Sequence, residues 1–400
     1  MPSSNGIEVR EFLQEKLKDF CKEEDIGLDF KFVSWNRAYE AIIMDFKNGE
    51  YPDVIQLGST WIRPMAHLRY IAPILEDISF KPALTGWLNE YCMYNGKQVA
   101  VPWVIDTMIM AVRKDLMKKL EINPGKIRNW HGFYQEIKRL ALMRRKDKSL
   151  PKPLMFAIRP EMETVHRMSA LFFAAGYSYP ELKLPLKSFL ANKNFIKVVK
   201  YLRDLLEVAG LNSSDADIHP YKVNEGFYLQ DASVFYIGNW YGVIADLLKN
   251  KEESKYKVLP LPSPIENGGT YTGASILAVS TKSRFPGKSA RLIERLVDQE
   301  FIEEWQYFTN AISAFDSGFW QERFNNKEIN ALYKTIINSS SYPIHPVWRN
   351  IEKILSVDIS KCLWQLFIES DIPFEKRAYG ILEKSDQNIK KLLKMVWELD

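Results

Sequence analysis

The sequence predicts an α/β protein with more than one domain. Helical stripes of apolar residues alternate with short runs that read as strands, the pattern of parallel α/β units. Glycine closes several helices and proline stops several strands, so the borders of elements are marked in the chain. Its 400 residues suffice for two or three domains, each with a sizeable core.

Residues 9–24 place Val9, Phe12, Leu13, Leu17, Phe20 and Cys21 on one helical stripe. Residues 28–35 alternate as a strand, and 37–48 form a helix ending at Gly49. A short buried strand, 54–57, leads into Gly58-Ser59-Thr60-Trp61, where Thr60 can cap the next helix. Residues 98–115 read as two apolar strands meeting at Ile105-Asp106-Thr107. The helix 130–145 ends in Arg144, Arg145 and Lys146, which suit its negative end. A strand at 153–158 and a helix at 164–175 follow, the latter closed by Gly176. Helix 194–209 buries Phe195, Val198, Val199, Leu202, Leu205 and Leu206 and ends at Gly210.

Next come a short helix at 225–230, a buried strand at 232–237, a tight turn Gly238-Asn239-Trp240 and a helix from Tyr241. Gly238 is assigned a sharp backbone bend. Strands at 256–262 and 274–280 precede one long helix, 287–308. From residue 328 onward the pattern is mostly helical.

The net charge of +4 comes from 54 basic and 50 acidic residues interleaved along the chain, which is no nucleic-acid footprint. Cys21, Cys92 and Cys362 lie too far apart for a disulfide framework or a metal site. The histidines at 67, 131, 166, 219 and 345 are dispersed and form no HExxH pattern. The phosphate-binding motif GxxxxGK[ST], GxGxxG and GxSxG are all missing. Glu161 and Glu163 read as solvated loop acids. No catalytic set, cofactor or metal is therefore expected. The first residues carry no basic region followed by an apolar one, and no run is long enough to span a membrane.

Aromatic content is more informative: 11 Trp, 19 Tyr and 22 Phe make up 13% of the chain. Beyond the core, aromatic rings bind the flat apolar faces of ligands, and pyranose rings present such faces. In open α/β sheets, ligands sit outside the carboxyl ends of the strands. Asn239, Trp240 and Tyr241 stand at such an end. Trp240 is the first candidate for a stacking platform, with Asn239 as an amide partner for hydroxyls.

Four landmarks then point to a family. They are YPDVIQLGSTW, VAVPWVIDTMIMAVRKDLMKKL, YLQDASVFYIGNWYGVI, and the stretch YKVLPLPSPIENGGTYTGASILAVSTKSRFPGKSARLIERLV. In this order they resemble the sugar-type extracellular solute-binding proteins of ABC transporters, the maltose-binding-protein-like group. Two details depart from that pattern: Ala111-Val112 stands where Tyr or Phe is usual, and the chain starts on a helix where a strand normally comes first.

The resemblance implies a periplasmic-binding-protein-like (type II) fold, two α/β lobes joined by hinge crossings with a ligand cleft between. The first lobe would be 1–106 plus 268–313, and the second 107–267 plus 314–400. It implies a non-catalytic monomer that binds a carbohydrate, an oligosaccharide or glycoside, and delivers it to an ABC permease. The protein would then work in the periplasm or outside the cell, with its leader absent from this chain. The same fold also serves as a sensing module of a signalling receptor. A polysaccharide-acting enzyme would need a carboxylate pair flanking the cleft.

The resemblance places polar and stacking contacts of the first lobe at Ser59, Thr60 and Trp61, with Trp35 ending a neighbouring strand. It places second-lobe contacts at Glu163 and His166, taken as just preceding a helix. Asp106, at the crossing between lobes, is a buried carboxylate that sugar hydroxyls could satisfy. Gly273 and Ser275 would bring backbone near the ligand, and Arg349 would add a late bidentate contact.

Overall fold

The structure, a computed structural model, describes residues 6–74, 80, 83–186, 188–250, 254–266, 268–315, 318–323 and 326–397. The chain divides into two compact units. One comprises Met1–Ile105 and Gly273–Phe319, the other Asp106–Thr272 and Trp320–Asp400.

The first unit is built on the strand Val54–Gly58, which pairs antiparallel with Thr272–Val279 from Val54 opposite Val279 to Gly58 opposite Ser275. Ile55, Leu57, Ile276 and Ala278 are buried on this pair, as period-two alternation requires. Helices Trp35–Asn48 and Pro286–Val297 each bury one apolar face, Ile42 and Phe46 on the former and Ile293 and Leu296 on the latter. Trp103 stacks on Trp305 at 4.8 Å and donates its indole N–H to the Leu296 carbonyl at 3.1 Å. The first helix, Gly6–Lys16, is held by Phe12, whose ring stacks on Phe308 at 4.4 Å.

The second unit centres on the strand Ser233–Asn239. It pairs antiparallel with residues 108–112 and parallel with Lys152–Leu154. Tyr256–Leu259 pairs with residues 110–113. Helices Trp130–Lys146, Lys193–Ala209, Met162–Ala174 and Trp348–Trp364 supply the apolar layer, including Phe133, Ile137, Phe195, Val199, Val165 and Ile359. Asn129 and Asn192 cap two of them, each side chain accepting a backbone N–H of the first turn at 2.8 and 2.9 Å. The last helix, Phe374–Trp397, is tied down by Asp386, which accepts the backbone N–H groups of Phe189, Leu190 and Ala191 and the Ser188 hydroxyl.

Several sequence expectations change. Residues 26–34 form no regular element, although their exposure alternates, because no strand among the described residues pairs with them. Trp35 accordingly begins a helix and does not end a strand. The two strands expected around Asp106 are one continuous strand, Val101–Arg113. Its Val104 and Ile105 pair with Ser313 and Ile312, while residues 108–112 pair with Phe235–Asn239. The polar Thr107 does not break it, because its hydroxyl is bonded to that of Thr272 at 2.6 Å. The expected helix 287–308 is two, Pro286–Val297 and Gln299–Thr309. Asp298 leaves helical geometry between them, with ψ at 147°, and caps the second helix through the Glu300 N–H. Leu17 likewise separates Gly6–Lys16 from Lys18–Glu23.

Gly238 is not a bend. It lies inside the strand Ser233–Asn239, and a Cβ there would sit 2.3 Å from the Tyr236 hydroxyl. A Cβ on Gly242 would sit 2.4 Å from the Tyr228 ring. Both glycines make room for tyrosines, a close-approach role and not a turning one.

Candidate functional site

In the second unit, the strand Val101–Arg113, the start of helix Met162–Ala174 and the Asn239–Tyr241 junction bring together five of the residues singled out from the sequence. They are Asp106, Glu163, His166, Trp240 and Tyr241. Glu163 and His166 lie on the helix itself, not before it, and share a face with Arg167 through the i, i+3, i+4 spacing.

Arg167 organises the helix side of this cluster. Its side chain is fully buried, and its guanidinium donates to Glu163 Oε1 at 3.2 Å and to Asn224 Oδ1 at 2.7 Å. The Tyr236 hydroxyl donates to the same Asn224 oxygen at 2.8 Å. The guanidinium also lies over the rings of Phe156 and Tyr236, at 5.7 and 5.5 Å. Glu163 is thus a carboxylate with a permanent counter-charge, and not the solvated loop acid that spacing alone suggested.

Asp106 is the opposite case. It retains some solvent exposure, but its Oδ1 is buried and finds no hydrogen-bond partner among the described residues. Its carboxyl is pushed well above the ordinary range, first by burial and then by the nearby charge of Glu163. The Trp240 indole N–H pulls it back toward the charged form. Tyr241, half-buried, has its hydroxyl held protonated by burial and then by Asp106 and Glu163.

His166 stacks on Tyr271 at 4.5 Å with an interplanar angle of 21°, and its Nε2 lies 3.4 Å from the Tyr271 hydroxyl. Burial lowers its pKa from the ordinary value to about 4, outweighing the Glu163 carboxylate 4.0 Å from Nδ1. At neutral pH the ring is therefore an uncharged, partly open aromatic surface. Tyr342 extends the stack, 4.6 Å from Tyr271 and 4.9 Å from Trp348.

Two expectations fail here. Trp240 is fully buried, with its ring 5.6 Å from that of Tyr241, so it offers no open stacking face. Arg349 is also buried, on the helix Trp348–Trp364, where it pairs with Glu352 at 3.4 Å. Glu352 in turn accepts the Trp348 indole N–H at 2.9 Å, so this pair belongs to the core. Asn239 ends its strand opposite Met108, and its carbonyl accepts the Tyr228 hydroxyl at 3.1 Å.

In the first unit, Ser59, Thr60, Trp61, Trp35 and Ser275 gather at the end of the strand Val54–Gly58. The Ser59 hydroxyl is buried and accepts the Ala274 N–H at 3.3 Å. Gln56 donates to the Ser275 hydroxyl at 3.1 Å, and Gly273 is the second residue of the same strand. Trp61 is almost entirely covered, meeting Trp35 and Tyr39 edge-on at 5.4 and 5.5 Å. Ser59, Ser275 and Trp61 hold the strand end together. Trp35 and Thr60 are half-buried beside them.

Sequence reasoning missed Arg167, Asn224, Tyr236, Tyr271 and Tyr342. The one available signal was the Glu163–His166–Arg167 spacing on a helix. Tyr271 and Tyr342 come from distant segments and gave none. Among the described residues no group of acidic, histidine or cysteine side chains could hold a metal ion. No described helix is long and apolar enough to cross a membrane.

Comparison with known proteins follows the same lines. A curated relative, the diacetylchitobiose binding protein DasA of Streptomyces coelicolor, is 21% identical over 288 residues, 70% of this chain and 64% of its own length. The chain thus matches somewhat less than two thirds of that relative. A solute-binding protein of an ABC transporter from Thermotoga lettingae, solved with bound α-D-tagatose, superposes with a TM-score of 0.77 at 15% identity, covering 96% of each chain. The sugar-binding protein MalE of Xanthomonas citri gives 0.72 at 19% identity, covering 98% of this chain and 97% of its own. At such identities the likeness is one of fold, the type II periplasmic-binding-protein fold. Residues 4–292, well over half of the chain, match the family of bacterial extracellular solute-binding proteins, and the chain belongs to that family.

Proposed function

We propose that this protein binds a carbohydrate without transforming it and delivers it, as a monomer in the periplasm or outside the cell, to the permease of an ABC importer. The observation that carries this reading is the second-unit cluster. Two carboxyls, Asp106 and Glu163, stand beside the rings of Tyr241 and His166, and each stays partly exposed, where it can accept from hydrogen-bond donors. Sugar hydroxyls are such donors, and neutral ring faces suit the C–H faces of a pyranose. Trp35 and Thr60 of the first unit are the proposed contacts there, with Ser59, Trp61, Gly273 and Ser275 as their support. The sugars named with the curated relative and the solved structures are consistent with this ligand class.

A thermal-shift screen tests the reading. At least one mono- or oligosaccharide is expected to raise the unfolding temperature, since a ligand that binds only the folded state adds stability. A response to amino acids, peptides or polyamines with none to sugars overturns it. Incubation with glycans is expected to yield no product. Product formation abolished by Glu163→Ala would make the carboxyl pair catalytic.

A further inference from the structure

Trp240 and Asp106 carry complementary groups that the rest of the fold leaves over. The indole Nε1 of Trp240 is buried and finds no acceptor, and Oδ1 of Asp106 is buried and finds no donor among the described residues. Each orphan is costly in a poorly solvated site. The antiparallel register that sets Met108 opposite Asn239 carries the two residues alongside each other, and neither atom closes a hydrogen bond of normal geometry elsewhere, so each can satisfy the other.

The other groups around Asp106 stand differently toward it. Glu163, on the helix Met162–Ala174, repels it. Tyr241 and Tyr236 sense its charge and are themselves held protonated by burial. Arg167 donates to Glu163 and Asn224 through Nε and Nη2, and its buried Nη1 has no partner among the described residues. Glu163 thus has a buried guanidinium for support, while the unpaired donor that draws Asp106 toward its charged form is the Trp240 indole N–H.

We infer that Trp240 is a positioning residue, whose indole N–H aims the Asp106 carboxyl at the ligand while its ring stays under the site. What Asp106 then contacts rests on the carbohydrate reading above. The pairing itself does not.

A ligand-free titration tests the pairing. In protein labelled with 15N at tryptophan, one indole resonance, absent from Trp240→Phe, is expected to shift with a midpoint above the ordinary carboxylate range. That shift should vanish in Asp106→Asn. If no indole resonance titrates differently between wild type and Asp106→Asn, the pairing is wrong, and this comparison holds even if Trp240→Phe does not fold.

Affinity for diacetylchitobiose, or for whichever sugar of the screen gives the largest thermal shift, tests the consequence. Trp240→Phe keeps the ring and loses only the N–H, yet should weaken binding about tenfold or more. Asp106→Asn should weaken it similarly, and the double variant no further. Wild-type affinity in Trp240→Phe, alongside loss in Asp106→Asn, overturns the positioning role. If no sugar binds, the carbohydrate reading fails while the titration still decides the pairing.

Discussion

The guanidinium of Arg167 is wholly buried and meets Glu163 Oε1 at 3.2 Å, so the cation beneath the site is fixed before any ligand arrives. Removing one partner of a buried ion pair leaves an uncompensated group and typically costs several kcal/mol. Arg167→Met should therefore destabilise the chain by about 3 kcal/mol. Glu163 is partly exposed and can be solvated, so Glu163→Gln should cost less. Urea unfolding of the two variants checks the order, and equal losses would contradict it.

His166 makes stability depend on pH. Its folded pKa, about 4, lies below the ordinary value, so the unfolded chain binds the extra proton between the two. The contribution is fully present above about pH 6.5 and is lost as pH falls through that window toward 4. The whole loss amounts to at most about 3 kcal/mol. His166→Phe keeps a ring against Tyr271 and should flatten the fall between pH 6.5 and 4, as read by thermal unfolding.

Asp106 works in the other direction. Its folded carboxyl titrates above the unfolded one, so it subtracts stability as pH rises through and beyond the ordinary carboxylate range. Asp106→Asn should stabilise the unliganded protein at pH 7 by about 1–3 kcal/mol. Unfolding at pH 7 and at pH 4 separates the cases, because the gain should shrink at the lower pH.

Asp386 gathers three backbone N–H groups and one hydroxyl from residues 188–191, at 2.7 to 3.2 Å. Asp386→Ala should cost about 3 kcal/mol, since several of these donors would be left buried and unpaired. Hydrogen exchange should speed up at Phe189, Leu190 and Ala191. Unchanged protection there would mean that water replaces the carboxylate without loss.

Gly268 allows the chain to pass the end of helix Met162–Ala174. A Cβ on it would lie 2.0 Å from the Ala174 carbonyl oxygen, a contact with backbone that no rotamer change relieves. Gly268→Ala should destabilise by about 1–3 kcal/mol. Chemical denaturation measures it.

By itself, the sequence determined the alternation of helices and strands, the main helical faces and the order of landmarks that marks the family. Those signals are local: apolar period, caps and the ends of elements act over a few residues. It also placed Asp106, Glu163, His166 and Tyr241 among the candidates. Only the tertiary structure decided their surroundings, because those depend on which distant group lies alongside. Asn224 and Arg167 are 57 positions apart, yet together they support Glu163 and Tyr236. Trp240 shows the same limit. Its position at a strand end was legible, but whether its ring opens outward or turns inward depended on tertiary packing, which buries it completely. Packing buried the ring and left its N–H without an acceptor among the described residues.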